Sequence, residues 1–145
     1  MAKGIMVDNN CAYCVEGELV DKFGIKICEL ETSKVYLFKE QSHPGRCIVA
    51  HKKHVGDMNE LTAEERAAYF EDVARVARAI MAAFNPDKVN YGAYGDTGHH
   101  LHFHLCPKYK DEFEWGGVFL MNPDKKYLTD DEYAEMIEKI KANIK

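Results

Sequence analysis

From residue 100 to residue 106 the chain reads His-Leu-His-Phe-His-Leu-Cys, a strict alternation of imidazoles with large apolar side chains. Alternation of this period is a strand signal, because successive side chains of an extended backbone point to opposite faces. Leu101, Phe103 and Leu105 are therefore expected in a packed layer. His100, His102 and His104 share the other face, with neighbours roughly 7 Å apart at the strand rise. A lone strand histidine is ordinarily a solvated or satisfied polar residue. Three in register with three large apolar residues form an imidazole row with a rigid backing. Neutral imidazole can ligate a metal or act as nucleophile, acid and base near neutral pH, and the spacing alone leaves both open.

The rest of the chain supplies the elements such a strand needs. Residues 26–30 and 35–39 are β-prone runs separated by Glu31-Thr-Ser-Lys34, which predicts a hairpin. Ser42-His-Pro-Gly45 is a turn by composition, and residues 47–50 read as a buried strand. Thr62-x-x-Glu65 is a capping box that opens a long helix, with Phe70, Val73, Ala74, Ala77, Ile80, Met81 and Phe84 at helical spacing and Asn85-Pro86 as its stop. Residues 89–94 predict a strand joined to the histidine strand by a loop carrying Gly95, Asp96, Thr97 and Gly98. A second capping box, Thr129-x-x-Glu132, opens a C-terminal helix with an apolar stripe of Tyr133, Met136, Ile137, Ile140 and Ile144. Residues 1–10 read as a loose lead, Cys11-Ala-Tyr-Cys14 as an irregular knuckle, and residues 113–123 as an aromatic loop. The expected class is α+β, with a mainly antiparallel sheet, one long central helix and a C-terminal helix.

With 145 residues, 46% hydrophobic and 30% charged, the whole chain 1–145 is expected to be one domain that folds by burial. The net charge of -5 has the wrong sign for a surface that grips a nucleic acid polymer, so a phosphate-bearing ligand would need a local basic or histidine-rich pocket. Arg75 and Arg78 interrupt the longest apolar stretch, which excludes a membrane-spanning helix, and the N-terminal residues lack an apolar signal segment. A cytoplasmic location is expected, with the five cysteines as thiols or metal ligands and Cys28, Cys47 and Cys106 as small core residues. Lys52, Lys53 and Lys108 are expected at the surface.

The row His100-Leu-His102-Phe-His104-Leu-Cys106 resembles the His-φ-His-φ-His-φ-φ pattern, φ being apolar, of the histidine triad (HIT) superfamily of nucleotide hydrolases and transferases. Cys47-Ile-Val-Ala-His-Lys-Lys-His54-Val is similar to the family's strand ending in Pro-Lys-x-His, and Asn90-x-Gly92 to its Asn-containing strand. From about residue 11 to residue 109 the order of elements resembles the bacterial Hint-like branch. The resemblance implies cleavage at the α-phosphate of a nucleoside phosphoramidate or dinucleoside polyphosphate through a nucleotidyl-histidine intermediate. It further implies His102 as nucleophile, and His104 and His100 holding the phosphate and helping to move the leaving-group proton. Asn90 and Thr97 would donate to phosphate oxygens, and Arg46 would add positive potential. The chain departs from the family at Gly95-Asp-Thr-Gly-His99, where Gly-Gln-Ser-Val is usual, at Arg46 for a histidine and at His51 for a proline. Lys39 or Glu40 falls where the family's ribose-binding Asp is expected.

Cys11-x-x-Cys14 has the spacing of a zinc half-site, although the same spacing occurs in reduced, metal-free pairs. The resemblance completes it with His54 and His100, implying structural zinc, and also implies a homodimer built on the long helix and a strand edge. Two other readings stand beside the enzyme. One is a metal-dependent hydrolase with all three triad histidines as ligands. The other is a zinc-stapled nucleotide-binding or partner-binding module with little turnover. No membrane partner is expected.

Overall fold

The computed structural model describes residues 9–145, so most of the expected loose lead lies outside the described residues. The predicted hairpin forms from β1 (Gly24–Glu29) and β2 (Ser33–Phe38), and β3 (Cys47–His51) adds to it. With β4 (Lys88–Gly92) and β5 (His102–Lys108), these strands make a five-stranded sheet in the order β1-β2-β3-β5-β4. Every adjacent pair is antiparallel, so the fold is the expected α+β arrangement.

The long helix α3 (Ala63–Phe84) begins at the Thr62–Glu65 capping box and ends at Asn85, which adopts a left-handed φ of 50° and donates its N–H to the Met81 carbonyl. Its buried stripe is Tyr69, Val73, Val76 and Ile80, while Phe70 and Met81 are 36% and 42% exposed. The stripe is thus rotated from the expected one. Tyr69 wins the inward place because its ring enters the core while its hydroxyl donates to the Val49 carbonyl, 2.7 Å away. Helix α4 (Asp130–Asn143) opens at its own capping box and buries Tyr133 and Ile140 in the same core. Both helices therefore cover the face that carries Val49 and Leu105.

The opposite face is covered by the N-terminal segment. The expected irregular knuckle, residues 11–14, instead enters a one-turn helix, α1 (Ala12–Val15), and a second one, α2 (Glu18–Asp21), follows it. Four residues are too few for periodicity to reveal. Tyr13 and Val20 pack there with Tyr36, Phe38, Ile48 and Ala50. Ile48 pairs with His104 and Ala50 with His102, so this is the histidine face.

Between β5 and α4, residues 109–129 run as a strap across one end of the sheet. Lys108, expected at the surface, is buried, and its ammonium donates to the carbonyls of Glu114 and Gly117 at 2.6 and 2.7 Å. The Glu114 carboxylate accepts from His43 Nε2 at 2.6 Å and from the Leu120 N–H. Glu40 accepts from the N–H groups of Lys125 and Lys126. Buried polar groups that are all satisfied in this way fix a loop as firmly as packing does.

Candidate active site and cysteine–histidine cluster

Strand β5 starts at His102, two residues later than the alternation predicts. At Leu101 the backbone bonds on one side to the end of β3 and on the other to the loop beyond it: His51 N donates to the Leu101 carbonyl, and Leu101 N to the Val55 carbonyl. His100 therefore sits just outside the ladder. Its Nδ1 lies 3.3 Å from Cys11 Sγ, 3.6 Å from Cys14 Sγ and 3.1 Å from His54 Nδ1, and Cys14 Sγ is 3.2 Å from His54 Nδ1. All four donor atoms lie within 4.8 Å of one another. A tetrahedron built on zinc bond lengths has S···N edges of about 3.5 Å and N···N edges of about 3.3 Å, so the set fits a tetrahedral cation. His100 Nε2 donates to the His51 carbonyl at 2.6 Å, which leaves Nδ1 as the lone-pair nitrogen aimed at the cluster. Burial lowers the His100 pKa to about 4 and keeps the ring neutral.

The other two triad members carry equally definite hydrogen-bond roles. His102 Nδ1 lies 2.7 Å from the His100 carbonyl, which can only accept, so Nδ1 carries the hydrogen and Nε2 holds a free lone pair. His104 Nδ1 lies 3.1 Å from Nη2 of Arg46, which can only donate, so the hydrogen of His104 is on Nε2. Burial lowers both pKa values, that of His104 to about 2 with the Arg46 charge adding to the effect. Side by side on β5 stand an unprotonated nitrogen and an N–H donor, with ring centroids 5.4 Å apart.

These rings open onto a cleft of about 930 Å³, within the range of small-molecule sites. His100, His102, His104, Thr97, Cys11 and His54 all line it. Arg46 does not; it is fully buried behind His104. Asn90 stands opposite Cys106 on β4, outside the cleft lining. Three contributors escaped the sequence reading. Tyr13, between the two cysteines, packs on His100 and His102 at centroid distances of 5.4 and 5.0 Å. Phe119 reaches His104 from the strap, and its approach with Tyr94 depends on Gly92, where a Cβ would sit 2.6 Å from the Tyr94 ring and 2.9 Å from Phe119. Trp115, by contrast, is 43% exposed and does not line the cleft.

An antiparallel α+β sheet with a triad of imidazoles at a nucleotide-sized cleft defines a class by geometry, and the comparisons agree with it. The HIT domain family matches residues 24–111, and the chain belongs to that family. The chain is 26% identical over 145 residues to an adenosine 5'-monophosphoramidase of Schizosaccharomyces pombe, the match covering 94% of this chain and 99% of that protein. A histidine triad protein of Sinorhizobium meliloti shares the fold at a TM-score of 0.80 and 22% identity, over 88% of this chain and 94% of that one. A zinc-bound histidine triad family protein of Mycobacterium smegmatis shares it at a TM-score of 0.66 and 22% identity, over 92% of each chain.

Proposed function

We propose that the protein is a nucleotide hydrolase that cleaves a nucleoside phosphoramidate or dinucleoside polyphosphate at the α-phosphate, with His102 as nucleophile. The observation that carries this reading is the fixed protonation pattern of the triad. His102 Nε2 has a free lone pair because Nδ1 is tied to the His100 carbonyl. In the reaction that lone pair attacks the α-phosphorus and the bond to the leaving group breaks. The departing group takes the bonding electrons and a proton from solvent, and the water that attacks in the second step releases the proton that balances it. The positive charge left on the His102 ring is stabilised through Nδ1–H by the His100 carbonyl, as a carbonyl dipole should do. His104 donates Nε2–H to a phosphate oxygen, and the Thr97 hydroxyl at the cleft is a second donor. Water then displaces the ring from phosphorus and restores its lone pair. The S. pombe relative, by its name, acts on an adenosine phosphoramidate, which supports the substrate class.

The reading with all three histidines on a catalytic metal loses support from the same hydrogen bonds. His100 Nδ1 faces the cysteines, and a guanidinium sits on His104 Nδ1. Cys11, Cys14, His54 and His100 would instead hold a structural zinc, whose charge would favour thiolates where burial raises the Cys11 pKa. The outer residues Phe70 and Met81 of α3 and Tyr91 of β4 are exposed, and their cover in a homodimer of two-fold symmetry would also protect the free edge of β4.

Release of mononucleotide from adenosine 5'-phosphoramidate and diadenosine triphosphate, assayed with wild type and His102→Ala, tests the proposal. The variant should lose on the order of a thousandfold or more in turnover, since the path through the nucleophile is gone. Near-normal turnover in His102→Ala defeats the assignment. Binding without turnover in the wild type would make the protein a nucleotide-binding module.

A further inference from the structure

Arg46 is a buried cation that stands behind His104. It is fully buried, at the entry to β3, with its guanidinium 4.2 Å from the Phe38 ring centroid and 4.8 Å from that of Phe119. Its donors reach two strap carbonyls, Leu120 at 3.0 Å and Met121 at 2.9 Å, and His104 Nδ1 at 3.1 Å, while its buried Nε has no partner. Among the described residues no carboxylate comes within ion-pair distance of it. The two nearby acids are committed elsewhere, Glu40 to Ser42 and the strap backbone, Glu114 to His43 and Leu120. A buried cation without a counter-ion is costly, because carbonyls and rings repay only part of the hydration it gives up.

We propose that the anion which completes this charge is the phosphate of the bound substrate, reached through His104. The guanidinium occupies His104 Nδ1 and so fixes the Nε2–H on the cleft side. It also polarises the ring from behind, making that N–H a stronger donor to an anion in front of it. Arg46 is thus a positioning residue: it never meets the ligand, and it gives a chain of net charge -5 a site that selects phosphate. The proposal rests on the nucleotide reading above and deepens it, by assigning phosphate selectivity to a residue outside the cleft.

The test compares the affinities of AMP and adenosine by calorimetry in wild type, Arg46→Gln and Arg46→Lys. Loss of the charge should weaken AMP about tenfold or more, the size of a charge-assisted hydrogen bond, and adenosine by no more than about threefold. Arg46→Lys should recover part of the AMP preference. An equal loss for both ligands would mean that Arg46 only staples the strap, and an unchanged AMP affinity would equally overturn the proposal. Nitrogen NMR of the wild type decides the same point without a substitution: His104 should show the Nε2–H tautomer at pH 7, and an Nδ1–H tautomer overturns it. Arg46-dependent binding of inorganic phosphate without binding of AMP would refute the nucleotide reading and leave this one standing; binding of neither anion refutes both.

Discussion

Replacing Asp72 by alanine should unfold the protein far more readily while leaving the cleft chemistry alone. Asp72 lies in the middle of α3, is 3% exposed, and accepts three hydrogen bonds from Thr32, in the turn between β1 and β2, and from Ser33, the first residue of β2. These come from Thr32 N at 2.9 Å, Thr32 Oγ1 at 2.7 Å and Ser33 Oγ at 2.9 Å. Hydrogen bonds to a charged acceptor are worth about 1.5–3 kcal/mol each, a gross figure that overstates the loss. The half-buried Thr32 groups can turn to water, and the cost of burying a carboxylate is relieved. The Ser33 hydroxyl, completely buried, cannot be rehydrated and alone costs about 1–3 kcal/mol when orphaned. A net loss of about 3 kcal/mol follows, or roughly 10 °C in Tm for a chain of this size. Urea unfolding of wild type, Asp72→Ala, Ser33→Ala and the double variant measures it. The two substitutions should be non-additive by about 1 kcal/mol or more, because either one removes the shared bond. A loss under about 1 kcal/mol, or strict additivity, would refute the claim that this carboxylate pins helix to sheet.

Other outcomes follow from the two sites. Chelator treatment should render Cys11 and Cys14 reactive to a thiol reagent and lower Tm, and metal analysis of untreated protein should find close to one zinc per chain; zinc-free protein with freely reactive thiols would contradict the ligand set. Acid should destabilise the chelator-treated protein in a definite window. The folded-state pKa of His100 lies at about 4, below the unfolded value of about 6.5, so the unfolded chain takes up the proton first. Its contribution is fully present above pH 6.5 and is lost as pH falls toward 4, amounting to about 3 kcal/mol at 1.4 kcal/mol per unit. Urea midpoints at pH 7 and pH 4.5 check this, and equal midpoints would refute it. Glu114→Ala should raise KM for the substrate while changing kcat little, since the carboxylate holds the strap segment that carries Phe119; an unchanged KM would separate the strap from binding.

The legible features of this chain were those with a short period or a short-range rule. Both capping boxes formed, because each is a reciprocal bond between residues three apart, and the histidine alternation placed Leu105 in the core and His102 and His104 at the cleft. What escaped depends on contacts between distant segments. Nothing near Lys108 announces that the strap will fold back to offer it two carbonyls. Nor does anything near Arg46 announce that strap carbonyls and His104 will surround it. Periodicity placed Phe70 on the inward stripe of α3, yet Tyr69 took the place through a hydrogen bond to a strand carbonyl twenty residues earlier in the chain. Tyr13 left a trace only in its position inside the cysteine pair.

His100 faces the cysteine cluster with its side chain and His102 with its backbone carbonyl. One position thereby carries two inherited constraints that a chain cannot satisfy separately. A substitution there removes one donor atom of the cluster and, if the backbone shifts with it, loosens the acceptor that orients the neighbouring ring. Changes at Cys11 or His54 reach the same carbonyl by moving the ring between them. Mutational effects in the knuckle and on the strand should therefore be epistatic, and a variant library scored for both traits would show them failing together.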